Sequence, residues 1–529
     1  MRVLIAEKLA PNAVTLLEAA GHTVDVKLGM TAEETIAAIG VYDALIVRSA
    51  TKVTREVIEA GTNLKIIGRA GVGVDNVDVD AATERGIIVC NAPTSNVVSA
   101  AEQTMCLLLA SARKTPQANA SMQAGEWNRS AFTGNELFHK TLAIFGLGRI
   151  GGLIAERAAS FGMELIGYDP YCSVERAASI GVTKYETVDE ILPLADFITV
   201  HLPKTKETIG MFGSRQYARM KDGVYLVNTA RGGIYNLAEM VEYLQNGKIA
   251  GAAIDVYESE PCTDSPVHGL DNVILTPHLG ASTVEAQERA GIQIAEYVLL
   301  GLENKMVPTA VNVKLVPDDV MGAVAPYIPA CETLGVILAQ LSREAITSAE
   351  LTVSGELAEY DVSILGTAAL RGIFSRNTDD AVNFVNASYI ATQRGVSITV
   401  VKDTKQQEYK SKVSLLTMNG SKRVEVGCIV SGLHRETRIV SLLDYKLDLI
   451  PRKYVLVMKY EDTPGKLGRI GTVLGNANIN ISTMEIGTLE KNTGEAVVLM
   501  NVDDPVSPEV YEELVDSVGV TDGWFIELL

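Results

Sequence analysis

Short β-branched runs alternate with helical patterns along the first hundred residues of the chain. Five runs with the length of a buried strand occur at residues 3–6, 23–26, 44–47, 65–68 and 87–90. Strands that are buried on both faces read as continuous apolar runs, and helices between successive strands are typical of a parallel sheet. The pattern therefore predicts a parallel α/β unit over residues 1–97, followed by a long helix at 97–112.

A second α/β pattern extends to about residue 284, and a helical stretch at 285–301 follows it. The segment 304–319 contains Pro308 and Pro317 without a periodic pattern, which indicates a domain boundary. A third region without a recognisable catalytic motif then reaches residue 450. Its predicted helices lie at 328–341 and 379–394, and its predicted strands lie at 397–402, 412–417 and 423–431.

The last segment, from about residue 453, has the element order β-α-β-β-α-β. This is the order of the ferredoxin-like arrangement. The predicted elements lie at 454–460, 464–477, 480–488, 495–502, 508–518 and 522–528.

Length and charge narrow the class of protein. A chain of 529 residues is long enough for three or four domains. Its 46 Lys and Arg against 65 Asp and Glu give a net charge of −19, which disfavours nucleic acid and acidic membranes as partners.

The first residues reach a charge too soon for a signal peptide, and no stretch is long and apolar enough for a membrane span. The six cysteines are far apart without a C-x-x-C pair, so we expect reduced thiols, no metal site and a cytoplasmic protein.

A glycine-rich turn follows the apolar strand predicted at residues 141–145. It is the G-x-G-x-x-G pattern of Gly146, Gly148 and Gly151, and a helical pattern follows it at once. In this setting the glycines allow a tight turn, close approach of a pyrophosphate and close helix packing. The next predicted strand ends in Asp169, an acid placed to bind both ribose hydroxyls and to repel a 2′-phosphate. We therefore predict NAD rather than NADP as the cofactor.

Three later strands each end in a side chain that can take part in chemistry. Arg231, Glu260 and His278 follow apolar runs, and ligands of open parallel sheets bind beyond the carboxyl ends of the strands. The guanidinium can hold a carboxylate, the imidazole can exchange a proton with a carbonyl oxygen, and the carboxylate can orient the imidazole. Singly they could be a surface ion pair, a turn acid and a polar strand end. Together they predict the interconversion of a 2-hydroxy acid and a 2-keto acid.

The motifs at residues 146–151, 228–233, 255–261 and 276–283 resemble the D-isomer-specific 2-hydroxyacid dehydrogenases. The whole chain is similar to the long members of this family, which add an intervening domain and an ACT domain and oxidise 3-phospho-D-glycerate at the start of phosphorylated serine synthesis. The resemblance implies a Rossmann-type NAD domain at 98–284, inserted in a flavodoxin-like substrate domain at 1–97 and 285–318. An α+β intervening domain at 319–452 and a ferredoxin-like ACT domain at 453–529 would follow.

The resemblance also implies ligand contacts. Further NAD contacts would come from Arg149, Ile150, Thr229, Ala230, Asp255, Gly280 and Ala281. Substrate contacts would come from Arg48, Ser49, Gly71, Val72, Gly73 and Asn96, with Arg48 facing the phosphate and residues 70–73 forming a backbone cradle for the carboxylate. Arg48 could instead form a surface ion pair. The helix at 97–112 and the region of Trp127 would lie at an interface between subunits of a homodimer or homotetramer.

The start of the last segment resembles an ACT domain, in which a D-x-P-G turn leads into the first helix. Such domains pair edge to edge and bind an amino acid at the seam. By this resemblance Tyr460, Asp462 and Asn480 would bind L-serine as an inhibitor, although the segment could also be a packing module. Two alternatives for the whole chain are a dehydrogenase of another D-2-hydroxy acid, such as glycerate or 2-hydroxyglutarate, and a non-catalytic NAD-sensing corepressor.

Overall fold

The computed structural model describes residues 1–314, 318–376, 378, 381–405, 408–420, 422–488 and 494–528. Four sheets form in this part of the chain. Pro317 and the start of the helix predicted at residue 379 lie outside the described residues. Among the described helices, none is both long enough and apolar enough to span a bilayer.

The first sheet consists of the five apolar runs of the N-terminal unit. Its strands are β1 Arg2–Ile5, β2 Thr23–Val26, β3 Ala44–Val47, β4 Ile66–Arg69 and β5 Ile88–Asn91. All neighbours are parallel, in the flavodoxin-like order β2-β1-β3-β4-β5. The two faces are covered by helices α1 Pro11–Ala19, α2 Ala32–Ile39, α3 Arg55–Ala60 and α4 Val79–Glu84.

The second sheet follows two helices, α5 Val97–Arg113 and α6 Thr115–Gln123. Its strands are β6 Thr141–Phe145, β7 Glu164–Tyr168, β8 Thr183–Lys184, β9 Phe197–Val200, β10 Val224–Asn228, β11 Ile249–Ile254 and β12 Val273–Leu275. Their parallel order, β12-β11-β10-β9-β6-β7-β8, reverses between β6 and β9 as in a Rossmann fold. Its helices are α7 Arg149–Ser160, α8 Val174–Ser179, α9 Val188–Ile191, α10 Ser214–Arg219 and α11 Leu237–Gln245.

Helix α12 Val284–Leu302 returns the chain to the first sheet. Its buried side chains, among them Ile294 and Val298, pack in one core with strands β1, β3 and β4. The Thr283 hydroxyl caps the helix by accepting a hydrogen bond from the Ala286 N–H, and it lies 2.8 Å from the hydroxyl of Ser99 on α5. The chain passes from the first unit to the second at α5 and returns at the start of α12. These two crossing points therefore contact each other directly.

The third sheet is mixed, and only the pair β13 and β14 is parallel. Its strands are β13 Ser348–Gly355, β14 Ser397–Asp403, β15 Ser411–Asn419, β16 Lys422–Ser431, β17 Glu436–Leu442 and β18 Tyr445–Leu449. They are arranged as β14-β13-β15-β16-β17-β18. The helices are α13 Asp318–Val324, α14 Tyr327–Leu341, α15 Ser363–Phe374 and α16 Ala387–Gln393.

Helix α16 begins later than residue 379, where the sequence pattern placed its start. The Asn383 side chain accepts a hydrogen bond from the Val385 N–H, and the Asn386 side chain accepts one from the Asn383 N–H. Such local bonds stabilise a turn in competition with a helix. The Asn383 side chain also donates to the carbonyl of Gly86 in the first unit, at 2.7 Å.

The fourth sheet has the predicted β-α-β-β-α-β order. Its elements are β19 Tyr454–Glu461, α17 Lys466–Asn476, β20 Ile481–Thr488, β21 Glu495–Val502, α18 Pro508–Leu514 and β22 Val520–Glu527. The sheet is antiparallel, in the order β20-β21-β19-β22. Helix α18 is shorter than predicted, because a π-helical turn, Val515–Gly519, follows it.

Both faces of the fourth sheet are buried within the chain. On one face Leu456, Met458 and Met500 pack against α17 and α18. On the other face Val457 and Leu499 belong to the same apolar core as the third sheet and its helices. The third and fourth sheets therefore share one core.

Candidate active site

The glycine turn after β6 has the geometry of a dinucleotide loop. Gly146 has a φ of +98°, which favours glycine, and a Cβ at Gly151 would overlap the carbonyl oxygen of Gly146. A Cβ at Gly148 would instead meet no heavy atom within 4 Å. The free N–H groups of α7 thus face open space at Gly148, which suits a pyrophosphate.

Asp169 lies at the end of β7, partly exposed and directly beside this turn. Its carboxylate accepts hydrogen bonds from the N–H groups of Leu147 and Tyr171, both at 2.9 Å. The acid is therefore held next to the glycine loop, where a ribose bound with its pyrophosphate at α7 would lie. Of the neighbouring predicted contacts, Arg149 is exposed and Ile150 is half-buried.

His278 and Glu260 form a hydrogen-bonded pair beyond the carboxyl ends of the second sheet. The His278 Nδ1 lies 2.7 Å from Glu260 Oε2, and Glu260 Oε1 accepts a hydrogen bond from the Tyr257 N–H at 3.0 Å. Burial alone would raise the pKa of the Glu260 carboxyl, but the bonds to His278 and Tyr257 and the charge of Arg231 hold that pKa below its usual value. Glu260 is therefore an anion at neutral pH, and its contact leaves Nε2 of His278 for a substrate.

Asp255 holds the loop that carries His278. Its side chain is fully buried. It accepts hydrogen bonds from the Thr276 hydroxyl at 2.5 Å, the Leu279 N–H at 2.8 Å and the Gly280 N–H at 2.9 Å. His278 itself has a φ of +53°, a conformation that bulky residues adopt only when the surroundings impose it. Asp255, predicted as an NAD contact, thus fixes the backbone of the loop that carries His278.

Arg231 lies at the junction of the first two units. The loop after β10 is fixed by Asn228, whose side chain accepts from the Ala230 N–H at 3.0 Å and donates to the Arg231 carbonyl at 2.9 Å. The Arg231 Nη2 reaches to 2.9 Å from the position that a Cβ on Gly73 would occupy. The structure therefore brings the guanidinium predicted for catalysis together with the predicted carboxylate cradle.

Three of the six predicted substrate residues line one small cleft with the loop after His278, whereas Ser49, Val72 and Gly73 are not on its wall. Arg48, Gly71, Asn96 and Ala281 all lie on its wall. The Oδ1 atom of Asn96 is buried and has no hydrogen-bond partner among the described residues, so it is available to a ligand donor. Ser49 is exposed next to Arg48, and Thr229 is buried with its hydroxyl 2.7 Å from that of Thr104.

Glu7 is a site residue that the sequence analysis missed. Its carboxylate accepts hydrogen bonds from the N–H groups of Arg48, Ala50 and Thr51 at 2.8, 3.2 and 2.9 Å. It thereby fixes the loop that presents Arg48. The signal was present in the sequence, since Glu7 follows the apolar run of β1 as the other site residues follow theirs.

The residues predicted to bind serine do not form one pocket within a chain. Tyr460 is buried in the core between the fourth sheet and its helices, where burial and the charge of Asp462 raise its pKa. Asp462 follows the end of β19, whereas Asn480 precedes the start of β20. Since both strands run antiparallel to β21, they are parallel to each other, and the two exposed side chains lie at opposite ends of the sheet.

Family comparisons agree with this architecture. Residues 105–280 match the NAD binding domain of the D-isomer specific 2-hydroxyacid dehydrogenases. Residues 323–443 match the D-3-phosphoglycerate dehydrogenase intervening domain, and residues 454–518 match the ACT domain.

Similar proteins extend the match to the full length. The D-3-phosphoglycerate dehydrogenase of Archaeoglobus fulgidus is 42% identical over 100% of both chains, and that of Mycobacterium leprae is 45% identical over 98% of this chain and 97% of its own. A solved NAD complex of the NAD-dependent formate dehydrogenase of Staphylococcus aureus has a TM-score of 0.52 and 33% identity, covering 58% of this chain and 97% of its own. The chain belongs to the NAD-dependent D-3-phosphoglycerate dehydrogenases, a branch of the D-isomer-specific 2-hydroxyacid dehydrogenase family.

Proposed function

We propose that this chain uses Arg231, Glu260 and His278 to interconvert 3-phospho-D-glycerate and 3-phosphohydroxypyruvate, the first step of phosphorylated serine synthesis. The observation that carries this proposal is the 2.7 Å pair of His278 and Glu260 on the same strand-end face as Arg231, whose guanidinium reaches the glycine cradle at Gly73. This arrangement places a proton-transfer group near a binding site for a carboxylate. The oxidation of a 2-hydroxy acid requires both.

The roles of the three side chains follow from their contacts. The turn at residues 146–151 would hold NAD, which would supply the hydride acceptor for carbon 2 of the hydroxy acid. His278 takes the hydroxyl proton at Nε2, since its Nδ1 is bound to Glu260. Glu260 keeps the imidazole in one orientation and stabilises the charge that it gains. Arg231 pairs with the substrate carboxylate and draws electron density from the neighbouring carbonyl in the reverse direction.

The substrate phosphate is assigned to Arg48. This guanidinium belongs to a loop that Glu7 fixes, and Ser49 lies exposed next to it. The backbone at residues 71–73 is assigned to the substrate carboxylate and Asn96 to a substrate hydroxyl, since its Oδ1 has no protein partner. The proposed domains are 1–97 with 285–318 for substrate, 98–284 for NAD, 319–452 as the intervening unit and 453–529 for regulation.

A spectrophotometric assay tests the proposed reaction. NADH oxidation is followed with phosphohydroxypyruvate, hydroxypyruvate and glyoxylate as alternative substrates. The proposal expects phosphohydroxypyruvate to have the highest kcat/KM. A preference for an unphosphorylated acid would assign the chain another substrate, and no turnover with any 2-keto acid would contradict an enzymatic role.

Asp169 should set the choice between NAD and NADP. We expect Asp169→Ala to raise the KM for NADH about tenfold and to reduce the difference between the KM values for NADH and NADPH. The reason is that it removes the carboxylate that binds the ribose hydroxyls and repels a 2′-phosphate. Initial rates with both cofactors measure this. Glu164→Ala, which removes an exposed acid from the other end of β7, is the control and should leave both KM values unchanged. Equal use of both cofactors by the wild type would disprove the assignment.

We further propose that L-serine inhibits by binding between two ACT domains of a homo-oligomer. Asp462 and Asn480 lie at opposite ends of strands of eight residues, roughly 25 Å apart at about 3.3 Å per residue. Strand β20 lies at one edge of the fourth sheet. If the β20 strands of two chains paired in antiparallel fashion, Asn480 of one chain would lie toward the end of the sheet that carries Asp462 of its partner. Next to Asp462, Gly465 has a φ of +93° and open space around it, which leaves room for a ligand. Tyr460 would support this turn from the core.

Asp462→Ala should raise the serine concentration for half-maximal inhibition about tenfold while uninhibited turnover stays within a factor of two. An effector that does not contact Arg231, Glu260 or His278 acts only through its differential affinity for two states, typically about 1 to 3 kcal/mol. Dose–response curves of the full-length enzyme measure the effect, with Asp504→Ala as a control for the loss of an exposed acid. Unchanged rates and no bound serine at millimolar concentration in the wild type would mean that this unit has another role.

A further inference from the structure

A half-buried arginine that the sequence analysis did not single out lies next to Gly71, a residue that lines the small cleft. Arg69 is the last residue of β4, at the carboxyl edge of the first sheet. Its Nη1 occupies the position that a Cβ on Gly71 would need, so its guanidinium lies against the proposed carboxylate cradle. Only glycine at position 71 leaves this volume to the arginine.

The charge of Arg69 lacks a direct partner in the described part of the protein. Its Nε is buried without a hydrogen-bond acceptor, and no carboxylate of the described residues forms an ion pair with it. Burial lowers its pKa, and the neighbouring charge of Arg231 lowers it further. The side chain is partly buried, and a cation that is partly removed from water without an ion-pair partner favours a site that an anion completes.

The charged groups around Arg69 do not satisfy it. Arg48 and Arg231 add positive charge, whereas Asp75 and Glu7 oppose it. Both oxygens of Glu7 already accept backbone N–H groups of the loop at residues 48–51. Asp75 lies by Gly73, where it faces Arg231 as well. Of the carboxylates near these three guanidiniums, Glu7 is committed to backbone N–H groups and Glu260 to His278, which leaves Asp75 between Arg69 and Arg231.

We infer that Arg69 binds the substrate carboxylate together with the backbone of residues 71–73 and so determines the specificity of this cleft for 2-keto and 2-hydroxy acids. The inference rests on the proposed function and deepens it. It divides the anionic groups of the substrate among three arginines: Arg48 for the phosphate, Arg69 for the carboxylate at the cradle, and Arg231 for the carboxylate and carbonyl beside the nicotinamide. A charge-assisted bond from a desolvated guanidinium is among the strong polar contacts available to a protein.

Arg69→Met tests this inference, because methionine keeps much of the unbranched stem without the charge. We expect its KM to rise about tenfold for phosphohydroxypyruvate, hydroxypyruvate and glyoxylate alike, since all three carry the carboxylate. NADH affinity, followed by fluorescence, should not change. The melting temperature of the ligand-free protein should not fall below that of the wild type, because the half-buried guanidinium forms no ion pair with a carboxylate of the described residues. Arg69→Lys, which keeps the charge but loses the planar fork, should give an intermediate KM.

Binding of oxamate separates this inference from the proposed function. Oxamate presents a carboxylate beside a carbonyl and cannot be reduced as a 2-keto acid is, so its stabilisation of the NADH-bound protein reports on the cradle whichever acid is the true substrate. The stabilisation should be lost in Arg69→Met and retained in Arg55→Gln, a control that removes a surface guanidinium paired with Glu84. An unchanged KM with retained oxamate binding would overturn the inference, as would a loss confined to the phosphorylated substrate. A lower melting temperature in both variants together with weaker NADH binding would assign Arg69 a structural role instead.

Discussion

His278→Ala should lower kcat by a factor of about 10² to 10⁴ while the affinity for NADH stays nearly unchanged. The imidazole is the group whose free nitrogen can exchange a proton with the substrate oxygen, because Glu260 holds the other nitrogen at 2.7 Å. Loss of a general acid-base group has an effect of this size, since proton transfer then depends on water. The backbone should keep its course, because the loop is held through Asp255 and its bonds to Thr276, Leu279 and Gly280.

Stopped-flow or steady-state rates of NADH oxidation, together with NADH titration by fluorescence, measure both parts of this prediction. His268→Ala is the matched control, since His268 is an exposed histidine ten residues earlier in the same segment and should be dispensable. A His278→Ala enzyme with a third of wild-type turnover would show that another group carries the proton.

Arg48→Ala should lose about 10- to 100-fold in kcat/KM on phosphohydroxypyruvate and much less on hydroxypyruvate. A charge-assisted pair with phosphate contributes ~1.5 to 3 kcal/mol, and the unphosphorylated acid lacks this partner. The comparison of the two substrates on one variant is its own control for folding, since a distorted loop would impair both. Equal losses would mean that Arg48 supports the loop or the carboxylate instead of the phosphate.

The sequence pattern predicted the first two sheets well because their strands are short, buried on both faces and bounded by turns. The strands predicted at 3–6 and 65–68 lie one residue from β1 and β4. The third sheet was harder to predict. Ten of the twelve residues of α15 are buried, so the helix shows no alternation of apolar and polar faces. Close contacts of Gly335 and Gly372 seat it against α14, which no local pattern reveals.

The candidate site, like the fold, was predicted from the sequence only in part. Arg231, Glu260 and His278 were found from the sequence because each follows an apolar strand, and the parallel topology brings such strand ends to one edge. Arg69 was missed although it directly follows the strand predicted at residues 65–68, and in the structure it is the last residue of β4. The separation of Asp462 from Asn480 depends on strand order, which the sequence of elements alone does not determine.

The common core of the third and fourth sheets limits which truncated forms of this enzyme can fold. A protein that ends after Arg452 would leave the apolar surface that Val457 and Leu499 now cover exposed to water, and such a surface favours aggregation. An unregulated enzyme is therefore better sought by removing the last two units together than by removing the ACT unit alone.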